Sequence, residues 1–181
     1  MAQEQGFASD NLCVLIVVCK YNENISWLRG ECVVYDKAVT GNVGRESESF
    51  VRYILEHYDN LPSRVIFLQG NPFDHCPDLW KRLENHRGGV EALSNMIVAD
   101  DINGCPNHCG LPIKAYIEKY VPQIKQDVFM FGAGAQYIVP RENILSKPVD
   151  FWSKIHKSHW EDHMAPWILE RLWPTIWNMT I

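Results

Sequence analysis

Apolar residues along this chain come in two kinds of run. Leu12 to Cys19, "LCVLIVVC", is an unbroken and largely β-branched block that stops at the polar turn "KYNEN". Without polar alternation, such a block predicts a strand buried on both faces, as in a parallel sheet covered by helices. Glu31 to Tyr35 predicts a second strand and "RVIFLQG", ending at Gly70, a third. Between them the period changes: Phe50, Val51, Ile54, Leu55 and Tyr58 recur at helical spacing, and Pro62 closes the segment. Strand, strand, helix, strand predicts an α/β fold with a mostly parallel sheet flanked by helices.

Beyond Gly70 the pattern is less regular. "DLWKRLENH" predicts a short helix begun at Pro77 and Asp78. The stretch from Arg87 to Pro112 mixes a helical turn with a loop rich in Gly, Pro, Asn and Asp, and "IKAYIEKYVP" predicts another short helix. "DVFMFGAGAQYIVPRENIL" reads as strand, Gly-Ala turn, strand, then a helix entered near Pro140 and Arg141. From Asp150 to Ile181 the spacing is helical, with Trp152, Trp160, Trp167, Trp173 and Trp177 along it. No internal repeat or linker interrupts the chain, so one domain over residues 1–181 is expected, with 1–11 as a flexible N-terminal tail.

Composition narrows the function classes. The net charge is -5 with both signs interspersed, so no basic stripe suits nucleic acid. No apolar run is long enough for a membrane span, and "MAQEQGFASDN" lacks the basic and apolar regions of a signal peptide. A cytoplasmic protein with reduced cysteines is expected. Seven Trp in 181 residues can serve as core or as platforms for stacking sugars and bases.

Several stretches carry candidate chemistry. In "VIFLQGNPFDHC" a core strand runs into Gln69 and then Asp74 and His75, a carboxylate and an imidazole able to bind a divalent cation, or a turn in which Asp74 caps the next helix. In "KYNEN", Asn22 and Glu23 can accept hydrogen bonds from a ribose or base and Tyr21 can stack, although such residues also suit plain turns. "TGNVGRES" sets Arg45 at a helix start, where backbone N–H groups favour anions, with Glu46 and Glu48 as ordinary first-turn carboxylates. "FGAGAQYIV" has small residues, Gly132, Ala133 and Gly134, that let a ligand approach the backbone or a strand pack closely. Cys105, His108 and Cys109 fit a disulfide or a plain loop better than zinc. His156, His159 and His163 are expected to be mostly solvated, with His163 and Asp162 the better site candidates. Glu170 and Arg171 sit in an apolar helix, so Glu170 is either ion-paired or a carboxylate of raised pKa.

The succession "YNENISWL", "NVGRESESFVRYILEHYDNLP", "IFLQGNPFDH", "FGAGAQYIVPRENI" and "WILERLW" resembles a family of unknown function found in fungi, algae and large DNA viruses. The resemblance covers about residues 12 to 177. That family is similar to small glycosyltransferases of the GT-A type, and the resemblance implies a GT-A-like (Rossmann-like) domain. It also implies a nucleotide-sugar donor, with a uridine diphosphate sugar expected, Mn²⁺ or Mg²⁺, and a carbohydrate or other hydroxyl acceptor. Carried onto this chain, it places Tyr21, Asn22, Glu23, Arg45 and Gln69 by the nucleotide and its phosphates, and Asp74 and His75 at the metal. Gly132, Ala133 and Gly134 would border the sugar, and Glu170 would be the carboxylate at the reacting centre, with Asp162 as a second candidate base. Trp27 or Trp160 would stack on sugar faces. The usual Asp-x-Asp is absent, and "NPFDH" stands in its place. Two further readings follow: a nucleotide- or sugar-binding module without catalysis, and a metal-dependent hydrolase of sugar phosphates or nucleotides.

Overall fold

A computed structural model describes residues 14–106 and 108–180. The expected N-terminal tail and Cys13 lie outside the described residues. Strands β1 (Val14–Lys20) and β2 (Cys32–Asp36) come first, followed by the short helix α1 (Lys37–Thr40) and the longer α2 (Arg45–His57). Then come β3 (Arg64–Gln69), α3 (Leu79–Asn85), β4 (Glu91–Ala92), β5 (Ile97–Asp101) and α4 (Ile113–Tyr120). β6 (Val128–Gly132) and β7 (Tyr137–Pro140) lead into α5 (Arg141–Leu145), α6 (Val149–Glu161) and α7 (Ala165–Ile176).

The main sheet has the order β2-β1-β3-β7-β4, and β5 pairs separately with β6. β1 is parallel to β2 and β3, whereas β7 runs antiparallel to both β3 and β4. The sheet is therefore evenly mixed, not mostly parallel as expected. Val65, Phe67, Tyr137 and Val139 are buried on one face of this strand pair and Ile66 and Ile138 on the other, and a strand covered on both faces shows the same apolar run whichever way it points.

Alternation in β1 and β3 divides the interior in two. Leu15, Val17, Cys19, Val65 and Phe67 face the larger core with α2, α6 and α7. Ile16, Val18, Ile66 and Leu68 face the smaller core with Leu79 of α3 and the partly buried Ile25, Trp27 and Leu28. The Trp excess is mostly interior: Trp177 stacks on Trp173 at 4.9 Å, on Trp152 at 5.2 Å and on Phe67 at 5.8 Å. Such contacts contribute about 0.5–1.5 kcal/mol each beyond the area they bury.

Two stretches depart from the sequence pattern. Where a helical turn and loop were expected, the chain forms β4 and β5. The position of β5 that turns inward is Asp100, while Ile97, Ala99 and Asp101 are exposed, so its apolar alternation is inverted. The helix expected from Asp150 to Ile181 breaks between Glu161 and Ala165, where the Asp162 carboxylate accepts the Met164 N–H at 2.9 Å.

Helix α2 is docked by one carboxylate. Glu48 has no exposed side-chain surface and pairs with buried Lys37. It also accepts from Arg52 at 2.7 Å and from His156 at 3.0 Å. Burial alone would raise its pKa, but the hydrogen bonds from His156, Lys37 and Arg52 reverse this and hold it at about 2. Because this pKa lies below the ordinary 4.5, Glu48 stabilises the fold above pH 4.5 and loses that contribution as pH falls toward 2. Glu48→Gln is expected to cost about 3–5 kcal/mol near neutral pH by leaving Lys37 buried without a counter-charge. Urea denaturation across the acid range should show the steep limb of the wild type flattened in the variant.

Candidate functional site

The chain passes from β1 outward to β2, then crosses back through α2 to β3 on the other side of β1. Such a reversal opens a crevice beyond the carboxyl ends of the two inner strands. Two adjoining cavities lie there. The larger, about 380 Å³, is bounded by Lys20, Tyr21 and Glu23 after β1, Lys37 and Asn42 after β2, and Gln69 to Asn71 and Asp74 after β3. The smaller, about 220 Å³, is bounded by His75, Ala133, Gly134, Pro166, Trp167 and Glu170. Arg45, Glu46 and Gln69 border both, forming the wall between them.

Close backbone approach shapes this crevice. A Cβ on Gly70 would lie 2.6 Å from a Glu23 carboxylate oxygen and 2.9 Å from the Lys20 Cβ. The Gly70 carbonyl accepts the Trp27 indole N–H at 2.9 Å, which ties the loop after β1 to the end of β3. At the opposite rim Gly134 and Ala135 both have left-handed backbone, with φ of 92° and 53°. Gly44 and Arg45 form a second such pair, with φ of 70° and 50°. Non-glycine residues at positive φ store strain, and here Arg45 borders the cleft and Ala135 directly follows Gly134 at its rim.

A polar frame holds the turns. Gln136 is buried; its Oε1 accepts from Gln69 N–H at 3.2 Å and its amide donates to the carbonyls of Pro72 and Leu93 at 3.1 and 3.3 Å. Glu170 accepts from Gly134 N–H at 2.8 Å through one oxygen and from Arg171 at 2.5 Å through the other. Arg171 in turn donates to Asp100 at 2.8 Å and to the Trp167 carbonyl at 3.0 Å. Of the two readings of Glu170, ion-paired or a carboxylate of raised pKa, the structure shows the ion pair, with Arg171.

Glu46 differs from Glu170. Its side chain is 12% exposed, and its contact with Arg45 Nε is long, at 3.5 Å. Burial pushes its carboxyl above the ordinary range, partly countered by Arg45, and the Glu170 charge adds to the rise. Arg45 also lies 5.4 Å from the Trp167 ring centroid, so its guanidinium leans across the smaller cavity.

The crevice gathers most residues nominated from sequence: Tyr21, Glu23, Arg45, Gln69 and Asp74 at the larger cavity, and His75, Ala133, Gly134 and Glu170 at the smaller. Asn22 is exposed and borders neither. Gly132 packs instead on Ala92 and Ser94, each 3.0 Å from where its Cβ would be. Asp162 caps the turn into α7 and is not at the crevice. Trp27 is packed against Phe73 and Trp80, and exposed Trp160 rests on His156; the tryptophan that borders the crevice is Trp167.

Sequence reasoning passed over Glu46 and Gln136. Glu46 reads as one more first-turn carboxylate, but the cue for Gln136 was visible as a lone amide inside the apolar run "AQYIV". Of the later histidines, His163 is exposed as expected but borders neither cavity, whereas His159 is buried against Ser47 at 2.7 Å, where burial lowers its pKa to about 4, and His156 pairs with Glu48. Cys105 and Cys109 are free thiols, and Cys105 donates to Asp100 at 2.7 Å, so the disulfide reading does not hold.

A protein-held divalent cation does not fit the residues present. Asp74 and His75 border different cavities, and among the described residues no group of three His, Cys, Asp or Glu side chains is arranged to hold a metal. Adjacent residues leaving a tight turn diverge, which is why sequence neighbours need not share a ligand. Among the described residues no helix is long and apolar enough to cross a membrane. No protein-family model, curated protein or solved structure matches the chain.

A Cβ at Gly134 would lie 2.4 Å from the His75 ring. Gly134→Ala is therefore expected to lose about 1–3 kcal/mol of stability through strain and this clash. In a double-mutant cycle, His75→Ala should recover part of that loss, giving a coupling of about 1 kcal/mol in urea denaturation.

Proposed function

We propose that this protein is a glycosyltransferase-like protein that binds a nucleotide-sugar, with a uridine diphosphate sugar preferred, and passes the sugar to a hydroxyl acceptor. The observation that carries this reading is the two-part crevice beyond β1 and β3, whose halves differ in chemistry and share Arg45, Glu46 and Gln69. In this reading the nucleotide and diphosphate take the larger cavity, where Tyr21 offers a stacking face, Glu23 a hydrogen-bond acceptor for ribose, and Arg45 a fixed positive charge. The sugar takes the smaller cavity, against the Gly-Ala turn and the Trp167 ring. Arg45, at the wall, stabilises charge that develops on the departing diphosphate. Mn²⁺ or Mg²⁺ would come with the diphosphate, and Glu23 and Asp74 are the exposed carboxylates of that cavity it would meet. None of the steps assigned here to side chains runs through the ion.

A second reading, a nucleotide-sugar-binding module without transfer, is favoured by one observation. Both oxygens of Glu170 are already engaged by Gly134 and Arg171, so it is not a free base. No comparable observation favours the metal-dependent hydrolase.

Thermal denaturation with UDP, several UDP-sugars and their ADP and GDP counterparts, each with and without Mn²⁺, tests both readings. At a ligand concentration of about 100 times Kd, stabilisation of about 2.7 kcal/mol is expected. For a chain of this size that is a rise of roughly 5–10 °C. Arg45→Ala should weaken UDP binding by about tenfold or more, whereas Lys114→Ala, at a separate cavity, should not. No stabilisation by any diphosphate sinks the nucleotide-sugar reading. Stabilisation without transfer or donor hydrolysis across a broad acceptor panel favours the binding module.

A further inference from the structure

The crevice is short of uncommitted positive charge. Lys20 is tied to Asp36 at 2.7 Å and Lys37 to Glu48, which leaves Arg45 as the cation at the wall. Against it stand Glu23, Asp74 and Glu46 in the larger cavity and Glu170 across the smaller. Tyr21, His75 and the Cys19 thiol, which burial pushes up to about 12, complete the titratable groups facing the crevice. A diphosphate entering this space is repelled by these carboxylates, and neutralising one of them lowers that repulsion.

The carboxylates are not equivalent. Glu23 and Asp74 are exposed, so water screens them. Glu170 has both oxygens engaged as acceptors, one from the Gly134 N–H and one from the Arg171 guanidinium. Glu46 is nearly enclosed, its one side-chain partner among the described residues is the distant Arg45 Nε, and it stands on the wall common to both cavities.

Resting on the diphosphate reading above, we propose that Glu46 is the proton-exchanging residue of the cleft: the diphosphate binds together with one proton, which Glu46 carries at the junction of the two cavities. Neutral, Glu46 donates a hydrogen bond to a phosphate oxygen that its carboxylate would repel. Burial already raises its affinity for the proton, and an anion beside it raises that further. The sign follows: binding takes up a proton, and affinity falls as pH rises, by up to about tenfold per pH unit.

The test is calorimetric titration with UDP-glucose, whose doubly esterified diphosphate holds no proton that titrates between about pH 5 and 8. Measured in buffers of different ionisation enthalpy, wild type should take up close to one proton per ligand at the upper end of that range. Glu46→Gln should bind with no uptake and with an affinity that is flat in pH, while Glu170→Gln and His75→Asn keep the uptake. Uptake that survives in Glu46→Gln, or that vanishes only in His75→Asn, overturns the proposal. If UDP-glucose does not bind wild type at any pH, that result counts against the nucleotide-sugar reading, and Glu46 is judged separately by carboxyl ¹³C titration of the uncomplexed protein. Titration above the ordinary carboxylate range supports its role, and titration within or below that range removes it.

Discussion

Glu48 lies fully buried in the first turn of α2 and gathers Lys37 from α1, Arg52 from its own helix and His156 from α6. A carboxylate without water is tolerable only with such partners, and one of them, His156, comes from an element distant in sequence. The consequence is positional. With Glu48 anchored, the start of α2 is fixed at the end of the sheet, and the preceding Arg45 and Glu46 stand at the wall of the crevice. A Cβ on Gly44 would lie 2.5 Å from the Glu48 Cβ and 2.6 Å from the His159 ring, so the entry to the helix is as tightly constrained as its first turn.

A second buried charge network does the same work across the cleft. Arg171 joins Asp100 of the small sheet to Glu170, and Glu170 holds the Gly134 N–H. Beside these two networks the left-handed turns Gly44–Arg45 and Gly134–Ala135 bring Arg45 and Gly134 to one crevice, with the strain carried by Arg45 and Ala135. Between them Gln136 satisfies the backbone of the turn after β3. The site is thus built on rigid supports, and its Glu46 carboxylate is the group left without a strong partner. Polarity is distributed accordingly: densely hydrogen-bonded where it fixes geometry, and loosely satisfied where a ligand would complete it.

Much of the frame was legible in the chain. The unbroken apolar runs of β1 and β3 and the helical period of α2 appear where the pattern puts them, because burial on both sheet faces leaves a simple trace in sequence. β5 was not legible, since its inward residue is Asp100, made acceptable by Arg171 far along the chain. The direction of β7 was not legible either, because a strand buried on both faces looks alike in both directions. Of the residues carried over by resemblance, most gather at the crevice, while Asp162 is spent on capping a helix and Asn22 is exposed outside both cavities.

The sequence by itself determined the alternation of apolar and polar segments, the glycines that permit close approach, and the kinds of side chain available at the strand ends. These are local properties, encoded in a residue's own backbone freedom and in its neighbours at short spacing. Only the tertiary structure decided that Asp74 and His75, adjacent in the chain, border different cavities, and that Glu46 and Glu170, distant in the chain, border the same one. The physical reason is that a carboxylate's role depends on its desolvation and on which charges face it, and both are set by segments brought together only on folding.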